Sequence, residues 1–436
     1  MANGMVINLT AGQKRLLGEG VWAAGGKIGT AIGVMVGIRL LTEYVQPGVY
    51  GTVSLLLGVA TLSSNMFTAP LMLAAQRFYP EAKEAETIEQ LRSTVKKMLG
   101  GVLIVLAMVV LAGGAVWSRQ TGSSYLVFPL LLLLLILMAG RTLELSLLNA
   151  ARRQKAYAVW QVAEAWAKPM LAVGVVLLLG SRPEAVLIGY AAAVGGIILI
   201  LHWKGVKLEG KSKGRERAPI DKKTAKEIMH YALPLLPLAV VGWVNSMGDR
   251  FIIGGMLGIK EVGIYAAGYG LMSMPFRNVQ GVIGQTLRPV YFQAVASGKE
   301  RQQVKLLKGW LASTALICAL GVVGVFLLKD VIVRLLLAEE YRGCSVLLGW
   351  LAVGVAVQAV GQVFETILYG YKRTGYVLAA HSVGAGVCLA AVVVMVHYMG
   401  LKGAAMACPV YFLTLTVSML ILAGKAKRNR GLYNDG

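Results

Sequence analysis

Six basic residues stand inside long apolar runs of this sequence: Lys27, Arg39, Arg141, Lys168, Arg250 and Arg277. Each would cost roughly 2.5–3.5 kcal/mol near the centre of a bilayer, so water, a counter-charge or a ligand must offset it. The chemistry open to them is charge-assisted hydrogen bonding to anionic oxygens, for which the planar fork of Arg is well suited. Three acids share the same surroundings: Glu144, Glu164 and Asp249. Glu164 and Lys168 are spaced i,i+4 with the acid first, the favourable order on a helix. Arg141 and Glu144 are spaced i,i+3 and are expected to pair on one face. Asp249 and Arg250 are adjacent, so they point about 100° apart and pair poorly. Arg39 is expected near a helix end, where it can snorkel. Lys27, Arg250 and Arg277 have no same-helix partner at good spacing. A structural ion pair and a binding role both remain open for Arg141, Glu144, Glu164 and Lys168.

The elements that must position these residues are set by composition. The chain has 436 residues, 57% of them hydrophobic and 15% charged, against about 25% charged in soluble domains. Uncharged stretches of twenty or more residues recur along its length, each long enough to cross a bilayer. The expected fold is an all-α polytopic membrane protein. Short alternating segments, the mark of an outer-membrane barrel, are missing. Hydropathy predicts twelve spans, at 17–41, 49–73, 97–117, 125–149, 156–179, 184–203, 231–257, 262–287, 309–328, 343–369, 375–398 and 403–423. Of 43 Lys and Arg, 30 fall on the side of the termini and 7 on the other. That bias predicts both termini in the cytoplasm. The net charge of +22 then serves as an orientation signal, and nucleic acid is not expected as a partner. The polar stretch Met1–Arg15 runs into a segment too long for a cleavable signal peptide, so none is expected. Cys318, Cys344, Cys388 and Cys408 form no CxxC pair, and the four His show no HExxH spacing. Neither a disulfide framework nor a metal site is indicated.

The longest basic loop divides the chain into a six-helix lobe at 1–203, a linker at 204–228, a second six-helix lobe at 229–424 and a basic tail at 425–436. The linker reads as a solvated connector; docking of a partner or of anionic lipid is the other reading. The lobes look related. Val49-Tyr50-Gly51 and Ile264-Tyr265-Ala266 follow equivalent helices at an offset of 215, and Glu144, Leu147 and Arg152 match Glu365, Leu368 and Arg373 at 221. Two parallel six-helix repeats imply a pseudo-twofold axis along the membrane normal, with a central cavity between the lobes. Lys27 and Arg277 would reach that cavity from opposite lobes. Gly25, Gly29, Gly33 and Gly37, at strict four-residue spacing, suggest close helix packing, or else a bend. Pro234, Pro237 and Pro275 are expected to kink their helices.

Several motifs carry a resemblance. Arg77-Phe78-Tyr79-Pro80-Glu81, Tyr341, Gly370-Tyr371-Lys372-Arg373 and the run Gly400 to Ala407 resemble the bacterial polysaccharide flippase family of the multidrug/oligosaccharidyl-lipid/polysaccharide exporter superfamily. The resemblance implies a V-shaped pair of bundles that moves undecaprenyl-pyrophosphate-linked oligosaccharide between leaflets of the bacterial inner membrane by alternating access. It also implies work alongside polymerase and chain-length proteins, and a monomer is expected. The lipid II flippases of the superfamily typically have fourteen helices, two more than counted here. On this reading the six in-span cations form a pyrophosphate and sugar site. Asn65 and Asn245 could meet sugar hydroxyls or bridge helices, and Asp249, Glu144 and Glu164 are the candidates for H+ or Na+ coupling. No cofactor is expected. A multidrug or ion-coupled exporter is the alternative, but a cationic cargo calls for an acidic cavity, and here cations outnumber acids within the spans. A membrane glycosyltransferase or polymerase would need a large soluble catalytic loop or an outer-face Arg/His cluster; the outer loops are mostly short, and none holds a His cluster or a paired-acid motif.

Overall fold

A computed structural model describes residues 11–121, 124–203, 226, 228–230, 233 and 236–434. Almost the whole linker at 204–228, and Pro234, lie outside the described residues.

The chain is a succession of helices. In chain order they are α1 (Ala11–Tyr44), α2 (Pro47–Ser63), α3 (Ala69–Glu84), α4 (Ile88–Thr121), α5 (Val127–Ala150), α6 (Gln154–Leu179), α7 (Pro183–Trp203), α8 (Leu236–Met256), α9 (Ile259–Ala296), α10 (Glu300–Leu336), α11 (Ser345–Gly370) and α12 (Thr374–Asn434). α2 and α3 are one rod joined by a π-helical turn at Ser64–Thr68. There the amide of Ala69 donates to the carbonyl of Ser64, five residues back. α12 is two helices meeting at Gly400, whose φ of 58° suits a residue without Cβ. Taking the rod Pro47–Glu84 as one crossing and α12 as two, the described helices fit the twelve crossings expected. Nine segments meet the length and hydropathy of a membrane span among the described residues, Thr374–Arg428 counting as one of them.

Hydrogen bonding continues beyond the apolar slab, so several helices are longer than hydropathy predicts. α9 has 38 residues and α10 has 37, where about 20 cross a bilayer. Twelve crossings return the chain to its starting side. That side is called the terminal end below, and the opposite side the far end. Pro237 lies at the edge of the described part of α8. Pro275 does lie inside α9.

Core packing differs between the halves. One continuous apolar cluster joins α8 to α12, with Tyr411 and Phe412 fully buried within it. In the first half the buried residues form several smaller clusters, for example α3 with α4 and α5, and α1 with α2, α6 and α7. The outer surface is apolar: Leu178 is 84% exposed and Trp203 86%. Such a surface fits lipid rather than water.

α1 is fastened to α6 by its glycines. Cβ atoms at Gly26, Gly29, Gly33 and Gly37 would press on Ala158, Val162, Trp166 and Pro169, whereas Gly25 faces open space. Trp166 Nε1 donates to the carbonyl of Gly29 at 3.2 Å. The packing residue is thus Gly26, not Gly25.

Candidate functional site

The far end joins the two halves tightly. α2 crosses α9 so closely that a side chain on Gly51 would meet the Ile259 carbonyl, and one on Gly263 the Pro47 carbonyl. Tyr341 is fully buried and donates its hydroxyl to the carbonyl of Val45 at 2.6 Å. The amide of Ala338 donates to Thr42 Oγ1 at 3.3 Å. Tyr50 meets Tyr341 edge to face, with centroids 5.8 Å apart. Midway along the seam, Trp243 Nε1 donates to the carbonyl of Gly58 at 2.7 Å.

Most charges buried in the helical body are compensated, though not always by the expected partner. Glu164 of α6, 6% exposed, forms ion pairs with both Lys168 at 2.5 Å and Arg141 of α5. The pairing expected between Arg141 and Glu144 is replaced. Glu144 instead takes Arg92 at 2.5 Å and Lys96 at 3.8 Å from α4. The i,i+3 spacing gives way because each acid finds a better-placed cation on a neighbouring helix. Arg39 pairs with Glu43 at 2.8 Å beside the far end.

Asp249 and Arg250 occupy the interior of the second half, 1% and 6% exposed. The carboxylate of Asp249 accepts the amide of Arg250 at 2.8 Å and the hydroxyls of Tyr265 at 2.6 Å and Tyr411 at 3.4 Å. The Arg250 guanidinium turns away, resting 4.8 Å from the ring centroid of Tyr269 and touching Met247 Sδ. Such a contact offsets part of its desolvation. The tyrosines could not be singled out from sequence, since they lie on other helices.

The two asparagines differ. The Asn245 amide donates to the carbonyls of Val241 at 3.0 Å and His381 at 2.9 Å, so it ties α8 to α12. Asn65 is half-buried within the π turn, a feature that often marks functional positions.

Arg277 and Lys27 stand apart. Arg277 is exposed on α9 and donates from Nε to the Ser273 carbonyl and from Nη2 to Ser273 Oγ at 3.0 Å. Lys27 of α1 lies against α9 at Gly281. Neither has a carboxylate partner among the described residues. Beside this seam, Met35 of α1, Pro275 and Phe276 of α9, and Ile317 and Gly321 of α10 line an apolar cavity of ≈ 230 Å³. The structure thus gathers Arg141, Glu164 and Lys168 in one cluster and Asp249 with Arg250 in another. Lys27 and Arg277 share the α1–α9 seam, and Arg39 belongs to none of these groups.

The family described as "Polysaccharide biosynthesis protein" matches residues 16–295. No curated protein matches the chain. Among solved structures, an inward-facing multidrug resistance MATE transporter of the MOP superfamily is similar with a TM-score of 0.72 and 14% identity, over 97% of each chain. The lipid II flippase MurJ, in an inward closed conformation, is similar with a TM-score of 0.71 and 12% identity, over 92% of this chain and 87% of that one. A MOP-superfamily transporter from Pyrococcus furiosus, described as having a binding pocket of reverse polarity, gives 0.64 and 13% over 92% and 95%. These similarities show the fold, and the family match over more than half of the sequence shows the kinship. The chain, with its succession of helices long and apolar enough to cross a membrane, belongs to the polysaccharide biosynthesis protein family.

Proposed function

We propose that the protein is a flippase for undecaprenyl-pyrophosphate-linked oligosaccharide, moving it from the inner to the outer leaflet of the bacterial cytoplasmic membrane for surface polysaccharide assembly. The observation that carries this reading is the surplus of positive charge at the α1–α9 seam. Glu164 offsets its cations and Asp249 neighbours Arg250, but Arg277 and Lys27 keep theirs without a carboxylate. Cations retained within apolar helices at that cost call for an anionic guest. A pyrophosphate offers several charge-assisted acceptors, and the apolar cavity beside the seam suits a segment of isoprenoid chain. With the termini in the cytoplasm, as the bias of basic residues favours, the closed far end is the outer side. This conformation then receives cargo from the inside.

A drug exporter for cationic compounds would meet like charge at this seam. Coupling to H+ or Na+ would act best through Glu164, since protonating it would release Arg141 and Lys168 together.

The test is export in a deletion strain. Arg277→Ala should abolish export of the lipid-linked repeat unit, which accumulates inside, while the protein inserts in normal amount. Arg277→Lys should keep part of the activity, because charge survives but the bidentate fork does not. Normal export by Arg277→Ala would overturn the reading.

A further inference from the structure

Lys27 does not reach toward Arg277. Side chains on a helix lean toward its N-terminus, and α1 and α9 run in opposite directions. Lys27 therefore leans toward the terminal end, while side chains of α9 lean toward the far end. Arg277 accordingly turns to Ser273, one turn further from Lys27. The residue that converges on Lys27 is Arg288, which hydropathy assigns to a loop.

Contacts along α9 agree. Lys27 Nζ lies 2.6 Å from the place a Cβ would take on Gly281, and Arg288 Nη2 lies 3.7 Å from the equivalent place on Gly284. A glycine at 281 is what lets the ammonium lie against the α9 backbone. Gly281 and Gly284 are neighbours on one face of α9, so the two cationic groups stand over adjacent positions of that helix. Among the described residues neither has a carboxylate within ion-pair distance. Arg277, Gly281, Gln285 and Arg288 follow one another at steps of four, four and three residues, so they share a face of α9. Arg288 lies 29 residues from the start of α9, about 43 Å along the helix. That is past an apolar core of about 30 Å and level with lipid head groups. Two like charges held together, one from each half, favour a ligand that brings at least two negative oxygens between them.

We infer that Lys27 and Arg288 form a clasp for the phosphate-bearing head group of a lipid at the terminal end of the α1–α9 seam, separate from Arg277. The inference rests on the proposed transport reading for its link to cargo. The clasp is whole only while α1 lies against α9, as it does with the far end closed. An anion taken up there stands on the same face of α9 as Arg277, the next cation along it.

Binding of undecaprenyl diphosphate to the full-length protein in neutral phosphatidylcholine nanodiscs, followed by native mass spectrometry, tests this. Lys27→Gln and Arg288→Gln should each weaken binding by roughly tenfold. The double variant should weaken it by less than the product of the two, and Arg288→Lys should recover part of the loss. Gly281→Ala shifts only the flexible ammonium and should weaken binding by roughly threefold, which keeps the clasp testable if a charge variant fails to fold. A parallel titration with phosphatidylglycerol separates the sources. Equal losses for both probes assign the clasp to lipid head groups in general; losses confined to the diphosphate assign it to the carrier lipid. Unchanged binding of both probes to Arg288→Gln overturns the clasp, whatever Arg277→Ala does to export. Weakened binding by Arg288→Gln beside normal export by Arg277→Ala would keep the clasp and remove the transport reading.

Discussion

The α5–α6 cluster and the α1–α9 seam handle charge in opposite ways. At the first, Glu164 is 6% exposed and holds two cations from two helices. At the second, Lys27, Arg277 and Arg288 lie on two facing helices with no acid among the described residues close enough to pair. A compensated buried charge contributes to the fold mainly because removing its partner is so costly. An uncompensated one adds nothing to the fold and persists for what it binds. The difference teaches where to look for function in a body full of ion pairs: at the charges left over.

The comparison is broken most severely at Glu164. Glu164→Gln strands Arg141 and Lys168 together and should lower stability by about 3–5 kcal/mol, read as a fall in the unfolding midpoint of the purified protein. No loss of stability would mean that water already solvates both cations. Asp249→Asn comes next. Its amide can still accept from Tyr265 and Tyr411, but the negative charge beside Arg250 is gone, and a cost of about 2 kcal/mol is expected. Lys168→Met should cost less, about 1 kcal/mol, because Arg141 stays on Glu164. Export measured in the same variant then asks whether Lys168 touches cargo. The smallest effect on stability belongs to Arg277→Gln, within about 0.5 kcal/mol, although export should be lost. A large loss of stability there would move Arg277 into the compensated class and erase the distinction.

Hydropathy laid out most of the crossings, because continuous apolar runs have one stable form in lipid; α8 and α9, which carry Asp249, Arg250, Arg277 and Arg288, are not among the segments apolar enough to count as spans. Partnerships between helices were less legible. Spacing along one helix pairs Arg141 with Glu144, yet their partners sit on α6 and α4, and no local rule sees across a bundle. The glycine ribbon failed by one residue for a similar reason. A strict four-residue step drifts around a helix of 3.6 residues per turn, whereas Gly26, Gly29, Gly33 and Gly37 stay on the α6 side. Arg288 was hidden because hydropathy ends where the apolar slab ends, while the hydrogen bonds of α9 continue to Ala296. The tyrosines around Asp249 carry no spacing signal at all.

The π turn at Ser64–Thr68 acts as a phase shifter. One extra residue turns everything that follows by about 100°, and it is in that rotated setting that Leu71, Met72, Ala75 and Tyr79 reach α4 and α5. Deleting a single residue between 64 and 68 would restore a regular helix and swing those four side chains off their partners. A deletion of the same size in a connecting loop would cost far less. The rod is therefore intolerant of a change in length at this turn.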